Sequence, residues 1–320
     1  MSRDDERARQ RPDLADPRSA AASAVSASER VATHLAPVAA VGLPVAEVAG
    51  CQLVAELASG GHAVVYRAWQ PLLRRHVAIK ALMSDAQSDP ALVQSFLREA
   101  RLLAQLAHPN LPQVHDLVAA HGGWFLVMEL CDGVDLLDVL SQQAQLPWAT
   151  ALAIFSQAAR ALAHVHARRF IHGDIKPANL ILTRQGVVKL VDFGLARPLG
   201  QSDLPPPSTT PAYQSPEQAV GWRQPDPRSD QFSLGLVLQQ LLTGMQRQGL
   251  AEPPTLSAFP AAVQRLLARC LHPSCELRYS DMDNVVAACE AILGSDAPRR
   301  EVEQVRGFVT LLQAPTVAAL

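Results

Sequence analysis

Short β-branched and apolar runs mark the chain from Cys51 onward. CQLVAELA, AVVYRAWQ and HVAIKALM are parted by Gly61 and by a turn at 71–75, a spacing that predicts three antiparallel strands. Leu92, Phe96, Leu102, Leu103 and Leu106 then fall on one face at helical spacing, and HPN at 108–110 stops that helix. LPQVHDLVAA and GWFLVMEL flank His121, Gly122 and Gly123, which predicts a hairpin completing a small five-stranded sheet. CDGVD reads as a connector. Beyond it the apolar spacing becomes helical. Over 147–166, Leu152, Phe155, Ala159 and Leu162 line one face as core, and further helices are predicted near 229–242, 261–271 and 282–293.

Residues 1–48 sustain neither period and are rich in Ala, Ser, Arg and Pro, the composition of a flexible arm. The pattern thus divides the chain into that arm, a folded unit over 49–293 and a C-terminal tail over 294–320. Within the unit, a β-rich N-lobe over 49–131 precedes an α-rich C-lobe over 132–293, an α+β arrangement.

Composition narrows the functions available. The chain has 320 residues, 48% of them apolar, enough for a sizeable core. A net charge of −2 gives no support to nucleic-acid binding. Five cysteines without a CxxC pair fit reduced thiols in the cytoplasm. Cys270, His272 and Cys275 lie close together but lack a fourth ligand at zinc spacing. The N-terminus has no secretory pattern, and every apolar stretch is interrupted well short of a membrane span. One bias is sharper: of 28 basic residues only Lys80, Lys176 and Lys189 are lysine. A compact ammonium resists replacement by a planar guanidinium where a point charge must fit among phosphates.

Two of those lysines sit in chemically loaded segments. ASGGHAVV at 58–65 is a strand–glycine–strand turn of the kind whose backbone N–H groups can cover phosphates. In VAIK, Lys80 stands against an apolar wall and needs an anion, for which Glu99 on the following helix is a candidate. HGDIKPAN brings His172, Asp174, Lys176 and Asn179 within eight positions, and Asp192 of VDFG follows after a strand–turn–strand that returns it to the same end. One carboxylate can then accept a hydroxyl proton while the other, with Asn179, holds a hard cation through oxygen.

VAIK, FLREA, HPN, LVMEL, HGDIKPAN and DFG, in this order, resemble the Hanks-type serine/threonine protein kinases, particularly the bacterial ones, over residues 51 to about 293. The resemblance implies the two-lobed protein-kinase-like fold, with an antiparallel N-lobe sheet plus one helix and a mainly helical C-lobe. It implies ATP and Mg2+ as cofactors and Ser/Thr-containing proteins as substrates; the expectations of no nucleic-acid partner and no membrane span rest on the charge and apolar pattern above. It makes Lys80 the phosphate contact paired with Glu99, Asp174 the catalytic base, Lys176 its helper at the γ-phosphate, and Asn179 and Asp192 the magnesium ligands. Leu57, Gly60, Gly61, Val65 and Ala78 would cover the nucleotide, Met128 would be the gatekeeper, Glu129 and Cys131 the hinge, and Ile181 the floor. Ser208, Thr209 and Thr210 would lie in the activation segment, Thr210 against substrate. Glu217 would be paired with Arg278, and Asp230 and His172 would have structural roles. Lys189 is expected to be a solvent-facing strand residue.

Two other readings share these motifs. HGD also resembles aminoglycoside and choline phosphotransferases, but those families lack a segment like 195–218, which ends in TPAYQSPEQ. A nucleotide-binding pseudokinase is suggested by Ala58 and Ala63 at the outer glycine positions. Gly173 replaces the arginine that in His-Arg-Asp kinases meets a phosphorylated activation segment. Catalysis is therefore expected not to need phosphate there for ordering, with Pro205, Pro206 and Pro207 partly pre-extending the segment.

Overall fold

The computed structural model describes residues 47–60, 62–83, 86–200, 210–221, 226–246, 256–294 and 296–313. Among these, six strands build the N-lobe sheet: β1 Glu47–Val48, β2 Cys51–Ser59, β3 Ala63–Gln70, β4 Arg75–Leu82, β5 Val114–Ala120 and β6 Gly123–Glu129, ordered β1-β2-β3-β4-β6-β5. All neighbours are antiparallel. The expected sheet had five strands. The sixth arises because Ala49 and Gly50 both take positive φ, 55° and 68°, and fold Val48 back onto Cys51 in a two-residue turn. Val48 is buried there, so the end of the expected arm already belongs to the fold.

Pleating separates two jobs in this sheet. Val64, Tyr66, Val77, Ile79, Phe125 and Val127 form a closed apolar cluster on one face. Val65 pairs with Lys80, and Ala78 stands two residues before Lys80, so these three share the opposite face. Helix α1, Pro90–Leu103, packs on the lobe with Phe96, Ala100 and Leu103 buried. Asp89 caps it by accepting the Ala91 N–H at 2.8 Å, and Pro90 occupies the first turn, where no donor is required.

The C-lobe carries two small sheets. β7 Gly133–Asp135, β9 Leu180–Thr183 and β10 Val188–Leu190 make one, in the order β10-β9-β7, while β8 Phe170–Ile171 pairs with β11 Arg197–Pro198. The expected CDGVD connector therefore contains a strand. A Cβ on Gly133 would lie 2.1 Å from the Leu182 carbonyl oxygen, so only glycine lets β7 approach β9 this closely. The helices are α2 Leu136–Gln142, α3 Trp148–Ala167, α4 Pro216–Ala219, α5 Pro227–Thr243, α6 Ala261–Cys270, α7 Met282–Leu293 and α8 Ala297–Gln313. Most of α3 and α5 is buried, which makes them the central helices of the lobe.

The expected tail over 294–320 contains α8. This helix lies against α3, where Glu301 is 1% exposed and holds the Arg160 guanidinium at 2.9 Å. Among the described residues, no helix is long and apolar enough to cross a membrane.

Candidate active site

Strand β4 delivers Lys80 to the cleft face, and α1 delivers Glu99 to meet it. The ammonium donates to both Glu99 carboxylate oxygens, at 2.7 and 2.8 Å, with side-chain exposures of only 14% and 7%. Burial alone would push the Lys80 pKa down; Glu99 and Asp192 together carry it above its ordinary value. Asp192 Oδ1 reaches the same ammonium at 3.4 Å from the far side of the chain. Burial would raise the Asp192 carboxyl, yet Lys80 and the Gly194 N–H hold it below the usual carboxylate range. Its φ is +63°, a left-handed conformation that Asp tolerates better than most residues and that tertiary contacts must maintain.

The loop between β8 and β9 is held by Asp230, which projects from α5. Its carboxylate accepts the His172 N–H at 2.9 Å and the Gly173 N–H at 2.8 Å, and His166 Nε2 lies 2.8 Å away. Burial would raise the Asp230 pKa, but His166, His172 and the Gly173 amide depress it, so the buried carboxylate stays an acceptor. His172 is fully buried and packs edge-on against Phe193, with ring centroids 4.6 Å apart. That contact locks the VDFG segment to the loop. Asp174 follows, with Lys176 Nζ at 2.6 Å from its Oδ2, while the Asn179 amide donates to the Asp174 carbonyl at 2.8 Å.

Hairpin register brings Asn179 and Asp192 to one end. Leu180 faces Leu190 across β9 and β10, and the Val191 N–H donates to the Asn179 carbonyl at 2.9 Å. The donors available for a cation there are a carboxylate and an amide oxygen, which suit magnesium. Among the described residues no cluster of three or more acidic, His or Cys side chains could hold an ion alone. Magnesium fits this donor set when phosphate oxygens and water complete its shell.

The remaining predicted nucleotide contacts are spread over β2, β3, β4, the end of β6 with the residues just after it and, for Ile181, β9. A bulge between Glu56 and Ala58 leaves Leu57 unpaired and 48% exposed at the rim. Gly60 closes the turn by donating to the Ala63 carbonyl at 2.9 Å; Gly61 lies outside the described residues. Ala78 is buried and pairs with Met128 across the sheet, while Val65, Glu129, Cys131 and Ile181 are half-buried. Burial pushes the Cys131 thiol up to about 12.

Residues 51–290 match the protein kinase domain family. The chain belongs to the protein kinase family. Its relatives include serine/threonine-protein kinase PknB of Mycobacterium leprae, 37% identical over 65% of this chain and 33% of that protein. Serine/threonine-protein kinase PknA of Mycobacterium tuberculosis is 32% identical over 76% of this chain and 61% of that protein. The chain thus spans about a third of the first of these relatives and under two thirds of the second. The kinase domain of Mycobacterium tuberculosis PknI superposes with a TM-score of 0.63 at 29% identity, covering 79% of this chain and 100% of that one.

In this kinase domain the segment after VDFG is anchored at both ends. At its start, β11 pairs with β8 directly before His172. At its end, Glu217 meets Arg278 through two bonds of 2.6 and 2.8 Å, and the buried guanidinium also donates to the Arg228, His272 and Pro273 carbonyls. Burial opposes ionisation of Glu217; the Arg278 bonds overcome it and hold its pKa down. Thr210 precedes the 3₁₀ turn Pro211–Tyr213, while Ser208 and Thr209 lie outside the described residues.

The kinase departs from expectation at Lys189. It is 7% exposed instead of solvent-facing, and its ammonium is held by Glu129 at 2.7 Å and the Leu111 carbonyl at 3.2 Å. Strand alternation could not reveal this, because both faces of β10 are covered. Its rarity in an Arg-biased chain was the only available signal. Sequence reasoning also missed Asn110 and Gln157. Asn110 donates to Gln157 at 3.0 Å and to the Val188 carbonyl at 2.8 Å, joining the loop after α1 to the hairpin.

Proposed function

We propose that this domain transfers the γ-phosphoryl group of ATP, with magnesium, to Ser or Thr hydroxyls of protein substrates. The observation that carries the reading is the ammonium of Lys80, which is bonded to Glu99 of one lobe and reached by Asp192 of the other. A group so placed can receive the α- and β-phosphates without first having to be organised. Asp174 accepts the proton of the attacking hydroxyl, its orientation fixed by Asn179 and its charge partnered by Lys176. Lys176 then offsets charge on the transferring group. Magnesium, held by Asn179 and Asp192, would supply charge neutralisation across the phosphate oxygens.

The Glu217–Arg278 anchor supports a peptide substrate over a small molecule, because it fixes the end of the segment after VDFG where Gln218 donates to the Gly173 carbonyl, at 3.5 Å, in the loop that bears Asp174. Pairing of β11 with β8 and this anchor fix the described ends of the segment through protein groups, which supports a site that needs no phosphate there, in a chain whose Gly173 offers no side chain to bind one. A reducing, cytoplasmic setting is part of the proposal, supported by five unpaired thiols.

Magnesium-dependent labelling of a generic protein substrate by ATP tests the reading. In Asp174→Asn we expect labelling to fall by at least about 100-fold while nucleotide binding persists. Equal labelling by this variant would overturn the assignment.

A further inference from the structure

The third lysine of the chain is spent on a bond that joins two walls of the cleft. Lys189 lies on β10 directly opposite Ile181 on β9, so the two side chains share a face of the hairpin. Ile181 is the residue read as the floor beneath adenine. From that face the ammonium reaches Glu129, at the end of β6, whose backbone is read as hinge. Glu129 is itself oriented by the loop after α1: its carboxylate accepts the Gln113 N–H at 3.1 Å, and its own N–H donates to the Gln113 carbonyl at 2.8 Å. Lys189 also donates to the Leu111 carbonyl in the same loop. Leu190 N–H donates to the Asn110 carbonyl at 2.9 Å, so backbone bonds run beside the ion pair.

We infer that the Lys189–Glu129 pair positions the hinge against the floor of the nucleotide pocket and thereby sets its affinity for adenine nucleotides. This rests on the ATP reading above. Neither side chain touches the phosphate-handling groups, so both act as positioning residues. The pair coexists with the closed Lys80–Glu99 bond and the packed His172–Phe193 rings, so it belongs to the assembled state of the site. A surface strand lysine would not need this carbonyl and carboxylate cage. An ammonium buried on a hairpin does, because leaving it unpaired is costly.

The near-isosteric variants Lys189→Met and Glu129→Gln, and their combination, test the inference in the whole chain. Each single change is expected to raise KM for ATP and the Kd of MgADP about tenfold, with kcat within about twofold, and the double variant should equal the single ones. Non-additivity is what a shared function requires. Unchanged KM, additive effects, or a change confined to kcat would each overturn the inference, as would a rise in kcat, which would mark the pair as a restraint. Thermal melting of each variant separates loss of fold from loss of affinity. Should Lys189→Met not fold, Glu129→Gln decides alone, since its amide keeps the shape. If wild-type protein binds no MgADP, the nucleotide reading falls, and this inference with it. If wild type and variants bind it equally, only the positioning role falls.

Discussion

Gly173 shows how one residue can change the requirements of a site. Its φ is +80°, and a Cβ there would sit 3.4 Å from the Leu195 carbonyl oxygen, in a conformation that glycine adopts without strain. The peptide does its work through the backbone, with the N–H on Asp230. With no guanidinium at this position, a phosphate on the activation segment has no partner here. Replacing Ser208 and Thr209 with alanine is therefore expected to leave kcat within about twofold in the labelling assay. A loss that glutamate at the same positions restores would contradict this. Thr210 is assayed alone, since it is the residue read as facing substrate. At this scale Lys80, Glu99, Asp174, Asn179 and Asp192 were legible because their chemistry is unusual in an apolar setting. Lys189 was not, because burial of a strand lysine depends on what packs above it.

Among the elements, α8 lies beyond the 51–290 family match and yet is bound into the C-lobe. Glu301 meets Arg160 on α3, Gln304 donates to Thr150 at 3.2 Å, and Arg306 donates to the Gln185 carbonyl at 3.1 Å in the β9–β10 turn. Gly186 in that turn has φ of +84°, and a Cβ would lie 2.1 Å from the Val302 carbonyl, so helix and turn are in backbone contact. The same turn is held from α3 by Gln157, which donates to the Gly186 carbonyl at 3.1 Å. Ending the chain after Gly294 would expose Arg160 without its buried partner and uncover α3. We expect this truncation to lower Tm by about 6 °C or more, using roughly 3 kcal/mol for a broken buried pair and about 2 °C per kcal/mol at this size. An unchanged melting curve would show that the helix is dispensable. The signal for α8 is present in the sequence: Val302, Val305, Phe308, Val309 and Leu312 fall at helical spacing, and Val305, Phe308 and Val309 are buried, so only reading the end of the chain as a tail hid it.

For the whole molecule, acid sensitivity follows from buried bases. Burial first, then the neighbouring charges of His164, Arg160, Lys189 and Arg168, push His108 down to about 4. Its Nδ1 accepts the Asn110 N–H at 3.1 Å, a bond that the neutral ring makes. The unfolded chain takes up that proton first, near its ordinary value of about 6.5. Stability is therefore complete above about pH 6.5 and declines as pH falls toward about 4. Burial also lowers His172, which adds to the loss. Tm is expected to be lower at pH 5 than at pH 7.5, with a smaller difference in His108→Gln; an equal difference would remove His108 as the cause. The depressed Glu217 and Asp230 add their loss only further down, through the carboxylate range. Hydrophobic spacing by itself determined strands β2 to β6 and the helices near 147–166, 229–242, 261–271 and 282–293, and local motifs the order of the phosphate-handling residues, because period and local chemistry are properties of neighbours along the chain. Tertiary structure alone decided the sixth strand, the cage around Lys189, the docking of α8 and the left-handed backbone at Asp192 and Gly173. The cage depends on Glu129, 60 residues from Lys189, and the docking of α8 on Arg160, 141 residues from Glu301, while the others depend on turn and loop geometry that local propensity leaves open.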